Sequence, residues 1–302
     1  MPKIPEDFIV SKESIYKSSE GEAELTMLYD KALDSLGIEY EDRMVDTRFG
    51  ATHVLVSGPK GAPPLFVLHG GNSTNPLTFS WFLPFTEDYR LYAPDTIGHP
   101  GKSAQIRLSP SDNSYGQWVT DVLDALNLEQ VPFIGPSYGA GIILRTAAHA
   151  PERISKAVLL VPAGIASVSI LRMTFQIAFP MMLYRWFPGR KRLIRAVRWM
   201  HTGDMDEISV QTTDAVFRHV KLETKMPRLA TKEELMEYKA PTLVLAAEND
   251  ALFPADKVLP RAKEIIPDLV AAECLEGSSH LLSKQMQEYV QSRIRRFMEE
   301  TQ

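Results

Sequence analysis

Ser137 lies in the stretch Gly135-Pro136-Ser137-Tyr138-Gly139, where residue types and spacing predict a reactive serine. An apolar run, residues 131–134, precedes this stretch, and a helix-like segment, residues 140–150, follows it. A strand, a tight turn and a helix in this order form the geometry called a nucleophile elbow. The turn crowds the positions two residues before and after the serine, and glycine at both relieves that crowding. The N-terminus of the helix would then stabilise an anion that forms beside the serine.

His280 is the predicted base. A serine hydroxyl is a weak nucleophile at neutral pH and needs a base, usually a histidine, to accept its proton. His280 lies in a small-residue loop, residues 277–280, between the last predicted strand and the last helix, on the face that carries the elbow. His69 and His99 lie in loops on the same face and remain minor competitors. The other histidines fall in strand or helix patterns typical of surface or packed residues: His53, His149, His201 and His219.

Asp250 is the predicted carboxylate that orients this base. It lies in a polar loop that follows a buried strand pattern, residues 243–246, and ends at Phe253-Pro254. Glu248 is the competitor. It lies nearer the end of the strand, whereas an aspartate further along the loop is able to reach across to His280. The sequence therefore favours Asp250.

The backbone near the serine is expected to bind an oxyanion. Attack on an acyl group forms an oxyanion that needs two preorganised N–H donors. We expect one donor to be the N–H of Tyr138, directly after the serine. The second is expected from the loop that contains Gly70 and Gly71, where glycine allows close approach of a substrate. We favour Gly71, with Asn72 as the runner-up.

The elements that must position these residues alternate between strands and helices. An amphipathic helix over residues 18–36 and a hairpin over residues 43–57 open the chain. Helices are then expected at residues 115–126, 140–150 and 255–266 and after residue 281. Strands are expected at residues 65–68, 89–93, 131–134, 157–161, 242–246 and 271–275. This alternation predicts a parallel sheet with active-site loops at the carboxyl ends of its strands.

Residues 165–230 interrupt this pattern with a helical insert, which we interpret as a cap over the catalytic face. The predicted core is therefore residues 1–164 and 231–302, with a helical extension over residues 1–40. Apolar cap residues predict that the substrate carries an apolar acyl or alcohol group. The candidates for binding it are Met173, Phe175, Phe179, Met182 and Trp186.

The composition is that of a globular enzyme. The net charge of −5 over 302 residues argues against a nucleic-acid-binding role for the whole chain. The single cysteine, Cys274, excludes an internal disulfide. The N-terminus lacks the apolar segment of a secretory signal, so we expect a cytoplasmic protein. No metal-ligand spacing, glycine-rich phosphate loop or dinucleotide fingerprint is present, so we expect neither metal nor cofactor.

A membrane surface is an alternative partner for the cap. Residues 167–184 are largely apolar, but Arg172, Gln176 and Pro180 interrupt them, and a dense basic patch follows over residues 185–198. We favour the simpler interpretation, in which an apolar helix covers the active site and a solvated basic helix follows it. Contact with a membrane surface is the less favoured interpretation.

Several loops together resemble those of the α/β-hydrolase fold superfamily, over roughly residues 40–302. Ser137, Asp250 and His280 follow the family's order of nucleophile, acid and base. The loop at residues 69–71 is similar to the family's oxyanion loop. Residues 95–103 are similar to its D-x-x-G-x-G-x-S loop, with one residue added, and residues 247–254 to its acid loop.

The resemblance implies a fold and a type of reaction. The implied fold is α/β, with a mostly parallel eight-stranded sheet, helices on both faces and an inserted helical cap. The implied function is that of a carboxylesterase-like serine hydrolase that acts on a small apolar acyl substrate through an acyl-enzyme on Ser137. Alternatives on the same fold are cleavage of a carbon–carbon, amide or peptide bond, acyl transfer, and ligand binding with little turnover.

Overall fold

The computed structural model describes residues 9–11, 13–167, 175, 179–187 and 189–300 of the chain. The strands are β1 Ile9–Ser11, β2 Tyr40–Thr47, β3 Gly50–Ser57, β4 Pro64–Val67, β5 Arg90–Pro94, β6 Arg107–Leu108, β7 Val131–Pro136, β8 Ile154–Leu160, β9 Thr242–Ala247 and β10 Leu269–Leu275. The α-helices are α1 Ser19–Asp34, α2 Asn75–Phe82, α3 Ser114–Ala125, α4 Tyr138–His149, α5 Phe179–Trp186, α6 Arg190–Val197, α7 Glu207–His219, α8 Ala255–Ile265 and α9 Lys284–Glu300.

Eight of the strands form one sheet, in the order β10-β9-β8-β7-β4-β5-β3-β2. The hairpin β2–β3 is antiparallel, as is the pair β3–β5, and the remaining neighbours in this sheet run parallel. The prediction of a mostly parallel eight-stranded sheet is therefore confirmed. Helix α2 and the short antiparallel pair β1–β6 are additional elements that the sequence pattern did not predict.

The sheet buries side chains on both of its faces. Along β8, Ala157 and Leu159 belong to one hydrophobic cluster, whereas Val158 and Leu160 belong to the other. This alternation follows from the two-residue period of a strand. Helices α3, α4 and α8 contribute to the first cluster, and α1, α2 and α9 contribute to the second. Helices therefore cover both faces, as predicted.

The region between β8 and β9 carries helices α5, α6 and α7, and its described residues include no strand. Helix α7 packs against the N-terminal helix α1, where Leu25 and Leu28 meet Ala215 and Val216 in a small hydrophobic cluster. The N-terminal helix thus contacts both the sheet and the predicted cap. The domain boundaries given above remain predictions. Within the described ranges no helix has the length and apolar character needed to span a membrane.

A buried polar network holds the loop that follows β5. Asp95 is fully buried, and its carboxylate accepts hydrogen bonds from the Tyr29 hydroxyl at 2.9 Å and the Lys102 N–H at 2.7 Å. Nδ1 of His53 lies 3.1 Å from the same carboxylate, and its Nε2 lies 2.6 Å from Asp42. Because carboxylates only accept hydrogen bonds, both contacts are hydrogen bonds when both ring nitrogens carry protons, as in the imidazolium form.

The surroundings of His53 favour its charged form. Burial alone lowers the pKa of this imidazole, but hydrogen bonds and charges from Asp95 and Asp42 outweigh burial and raise the pKa above its ordinary value. A raised pKa in the folded state contributes stability below the unfolded pKa of about 6.5. That contribution is lost as the pH rises through the folded pKa.

Replacement of His53 by glutamine is therefore expected to cost most stability in mildly acidic solution. The difference in unfolding free energy between wild type and His53→Gln should decrease as the pH rises above about 6.5. Urea denaturation of both proteins at pH values below and above about 6.5 measures this difference in unfolding free energy. A difference that stays constant or grows as the pH rises would contradict the proposed stabilisation by the charged imidazole.

His149 provides a control of opposite sign. It lies on α4, where partial desolvation of the ring by its neighbours, together with the charge of Arg48, lowers its pKa. The difference between wild type and His149→Gln should therefore rise, not fall, with increasing pH.

Candidate active site

Ser137 sits between the end of β7 and the start of α4 with a left-handed backbone, at φ 52° and ψ −117°. A Cβ atom on Gly135 would lie 2.7 Å from the carbonyl carbon of Gly139. A Cβ atom on Gly139 would lie 2.7 Å from the carbonyl oxygen of Leu68. Both distances are too short for real Cβ contacts, so the turn exists only because glycine occupies both positions.

A chain of hydrogen bonds links Ser137 to His280 and Asp250. The Ser137 Oγ lies 3.0 Å from Nε2 of His280, and Nδ1 of His280 lies 2.7 Å from Oδ2 of Asp250. The carboxylate can only accept, so Nδ1 carries a proton and Nε2 is free to accept the serine proton. His280 and Asp250 are both buried. The three residues that the sequence singled out therefore share the geometry of a nucleophile, a base and an orienting acid.

The Asp250 carboxylate is held in its charged form. Burial pushes its pKa upward, but the charge and hydrogen bond of His280 and the amides of Phe253 and Leu252 outweigh burial. The net pKa is below the ordinary aspartate value. The competitor Glu248 is exposed and accepts a hydrogen bond from the Gly277 N–H at 2.8 Å. Glu248 thus braces the loop that carries His280, while Asp250 contacts the imidazole.

The oxyanion loop lies directly against the elbow. Tyr138 is the first residue of α4, where a backbone N–H has no partner within the helix. A Cβ atom on Gly71 would lie 3.1 Å from the Tyr138 side chain, so the two residues expected to supply the donors are in close contact. The N–H of Asn72 is already donated to Nδ1 of His99 at 3.2 Å. This bond favours Gly71 over Asn72 as the second donor.

His69 and His99 support this loop. Nε2 of His69 accepts the Thr96 N–H at 2.8 Å, and its Nδ1 donates to the Gly70 carbonyl at 2.8 Å. Both rings are buried, and burial lowers the pKa of each. They are neutral at neutral pH and tie the oxyanion loop to the loop after β5. The two loops are thus joined by the bond from the Thr96 N–H to His69 and by the bond from the Asn72 N–H to His99.

Comparison with known proteins agrees with this geometry. A family model described as alpha/beta hydrolase fold matches residues 63–283, a range that includes Ser137, Asp250 and His280. The chain belongs to the α/β-hydrolase fold family. It is 30% identical to carboxylesterase YbfK of Bacillus subtilis (strain 168) over 283 residues, which are 89% of this chain and 92% of that protein.

Solved structures of carboxylesterases are similar along nearly the whole chain. The crystal structure of naproxen esterase (carboxylesterase NP) from Bacillus subtilis has a TM-score of 0.81 and 27% identity, and the match covers 93% of this chain and 99% of that one. Carboxylesterase CesB (YbfK) from Bacillus subtilis has a TM-score of 0.78 and 28% identity, with 94% and 100% covered. This protein is therefore a carboxylesterase-like enzyme of the α/β-hydrolase fold.

The cap residues expected to bind substrate are exposed where they are described. The exposed fractions are 69% for Phe175, 53% for Phe179, 39% for Met182 and 65% for Trp186. Met173 lies outside the described residues. Their role in holding an acyl group stays a prediction.

A segment of the predicted cap to which the sequence pattern did not point is bonded to the loop of His280. The hydroxyl of Thr202 accepts the Ser279 N–H at 2.6 Å, and the Thr202 N–H donates to the Leu281 carbonyl at 2.9 Å. The Leu281 N–H in turn donates to the Met200 carbonyl at 2.5 Å. We call residues 200–202 the connector segment. It binds the residues on both sides of His280, and no local signal in the sequence points to it.

His201, in the middle of the connector segment, is uncharged at neutral pH. Burial and the nearby charge of His280 lower its pKa to about 4. A neutral imidazole here avoids repulsion when His280 takes up a proton during a reaction. The connector segment therefore restrains the loop of His280 without opposing its charge.

Removal of the Thr202 acceptor is expected to lower turnover by misplacing His280. The nearly isosteric Thr202→Val leaves the Ser279 N–H unpaired, and we expect kcat to fall about tenfold with little change in KM. Thr202→Ser retains a hydroxyl and should restore kcat. Steady-state kinetics with an activated ester measure both constants.

Thr212→Val is the matched control within the cap. The Thr212 hydroxyl on α7 is buried and makes no hydrogen bond to any described residue. Its loss should leave kcat unchanged. If Thr212→Val impairs turnover as much as Thr202→Val, or if Thr202→Ser does not restore it, Thr202 has no specific effect on His280.

Proposed function

We propose that this protein hydrolyses carboxylic esters through an acyl-enzyme on Ser137. The observation that carries the proposal is the unbroken chain from Asp250 through His280 to Ser137, at 2.7 and 3.0 Å. Asp250 sets the direction of these hydrogen bonds. Its carboxylate can only accept, so Nδ1 of His280 carries the proton and Nε2, which faces the serine, is unprotonated. The similarity to carboxylesterases supports esters as the substrate class.

In the first half of the proposed reaction, the Ser137 oxygen attacks the ester carbonyl carbon and its proton passes to Nε2 of His280. The carbonyl oxygen becomes an oxyanion, which the N–H groups of Tyr138 and Gly71 bind. Asp250 stays ionised and stabilises the imidazolium. The tetrahedral intermediate then collapses, and His280 gives its proton to the departing alkoxide. An alcohol leaves and the acyl group remains on the serine.

In the second half, His280 accepts a proton from a water molecule that attacks the acyl carbon. The same N–H groups bind the second oxyanion. Collapse breaks the bond to the serine oxygen, which regains its proton from His280. A carboxylic acid leaves and the enzyme returns to its starting state. No cofactor takes part in this cycle.

The proposed substrate carries an apolar acyl or alcohol group. Support for this part comes from the composition of the cap, where Met and Phe residues provide adaptable apolar surface. A panel of p-nitrophenyl esters that differ in chain length and charge tests it. Medium-length apolar chains should give a higher kcat/KM than short charged ones. A preference for charged esters would contradict the proposed substrate class.

Replacement of Ser137 by alanine should abolish both covalent labelling and turnover. A fluorophosphonate probe reacts with an activated serine and requires no knowledge of the natural substrate. We expect labelling and hydrolysis of p-nitrophenyl butyrate by wild type and neither by Ser137→Ala. Hydrolysis that persists in Ser137→Ala above background would place the nucleophile elsewhere.

Asp250 and Glu248 allow a matched test of the acid. Each can be changed to its amide, which removes one negative charge from the same loop. Asp250→Asn should lower kcat by about 10³- to 10⁴-fold, because the amide no longer holds the required tautomer of His280. Glu248→Gln keeps an acceptor for the Gly277 N–H and should stay within about threefold of wild type. Equal losses in the two variants would refute the assignment of Asp250.

A further inference from the structure

Helix α5 turns an apolar stripe toward solvent. Phe179, Met182, Leu183 and Trp186 recur at the spacing of one helix face, and their exposed fractions are 53%, 39%, 39% and 65%. On the opposite side Tyr184 is buried and its hydroxyl bonds to Asp214. A helix on the surface of a globular protein ordinarily has the reverse arrangement, with its apolar stripe inward. Contiguous exposed apolar surface of this kind marks a site of interaction.

Helix α6 and the turn after it place positive charge next to this stripe. Lys191, Arg195 and Arg198 are exposed and recur along one side of the chain, whereas Leu193 and Val197 face inward. Among the described residues, none of these three cations has an ion-pair partner. The stretch from residue 179 to residue 201 contains six basic residues and no acidic one, in a chain whose net charge is −5. Arg190 of this stretch pairs with Glu207 at 2.8 Å, so the unpaired charge among the described residues includes that of Lys191, Arg195 and Arg198.

The two features together match one kind of partner. Exposed Trp, Phe and Leu side chains insert at the boundary between lipid headgroups and acyl chains, while adjacent Lys and Arg side chains contact anionic headgroups. A nucleic acid would use the charge but leave the apolar stripe in water. A second copy of this chain would bring its own positive charge to the same surface. An anionic bilayer complements both features.

We propose that the cap docks on the surface of anionic phospholipid bilayers. We call the seven residues that form this contact the docking surface: Phe179, Met182, Leu183, Trp186, Lys191, Arg195 and Arg198. Helix α5 lies along the membrane plane with its apolar stripe in the interface, so Phe179, Met182 and Trp186 contact lipid rather than the acyl group for which the sequence predicts them. The cations of α6 and the following turn contact headgroups. The protein binds peripherally, and ester hydrolysis is not needed for this binding.

Vesicle cosedimentation of the full-length protein tests the proposal. At low salt, wild type should bind vesicles of phosphatidylcholine with one third phosphatidylglycerol at least tenfold more tightly than vesicles of phosphatidylcholine alone. High salt should remove most of this difference, because it screens exposed charges. Lack of binding to the anionic vesicles at low salt, or equal binding to both kinds, overturns the proposal.

Two variants test the two components of the docking surface. The triple change Lys191→Gln, Arg195→Gln and Arg198→Gln should weaken binding to anionic vesicles roughly a hundredfold, since each cation near the surface contributes about fivefold. Trp186→Ser should weaken binding to both kinds of vesicle. Thermal unfolding of each variant verifies that it is folded.

The matched control removes the same charge elsewhere. Lys239, Lys257 and Lys263 are exposed near β9 and on α8, and their triple change to glutamine should bind vesicles within about threefold of wild type. If this control loses as much vesicle binding as the triple variant of the docking surface, the effect is one of net charge alone and the proposal is overturned. If Trp186→Ser binds as wild type does and soluble polyphosphate displaces the protein from vesicles, the surface binds polyanions and docking on a bilayer is refuted.

Discussion

The left-handed backbone of Ser137 is the constraint to which the rest of the active site is fitted. A non-glycine residue in such a conformation costs of order 1–3 kcal/mol and persists only when its surroundings hold it. Here the Ser137 N–H donates to the Leu160 carbonyl at 2.9 Å, and the Ser137 carbonyl accepts the N–H of Ala163 at 3.1 Å. Strand β8 and the turn after it thus hold the serine from one side. Glycine at position 135 removes a Cβ atom that would collide with Gly139, and glycine at position 139 removes one that would collide with the Leu68 carbonyl.

The remaining parts of the site reach Ser137 from loops that are far apart in sequence. His280 follows β10 and Asp250 follows β9, and the parallel order of these strands brings both loops to the edge where β7 ends. The oxyanion loop follows β4, and β4 pairs with β7 on the side of β7 that faces away from β8. The parallel sheet therefore brings the proposed nucleophile, base, acid and oxyanion donors to one edge.

The cap is bonded to two of these loops. The Asn72 side chain makes two hydrogen bonds of 2.8 Å with the backbone of Glu223, so the oxyanion loop is tied to the chain after α7. The connector segment is tied to the loop of His280. The predicted cap is therefore hydrogen-bonded both to the loop that contains Gly71 and to the loop of His280.

The sequence by itself determined the local pattern: a strand, a glycine-flanked serine and a helix, followed by an acid loop and a histidine loop between predicted elements. These features depend on neighbouring residues, so apolar periodicity and glycine spacing were enough to predict the sheet and to select Ser137, Asp250 and His280 as candidates. Only the tertiary structure showed that Glu248 binds Gly277, that the Asn72 N–H is taken by His99, and that Thr202 contacts Ser279. The tertiary structure also decided that the apolar stripe of α5 faces solvent. Each of these facts is a contact or an orientation set by residues distant in sequence, and periodicity along the chain carries no information about it.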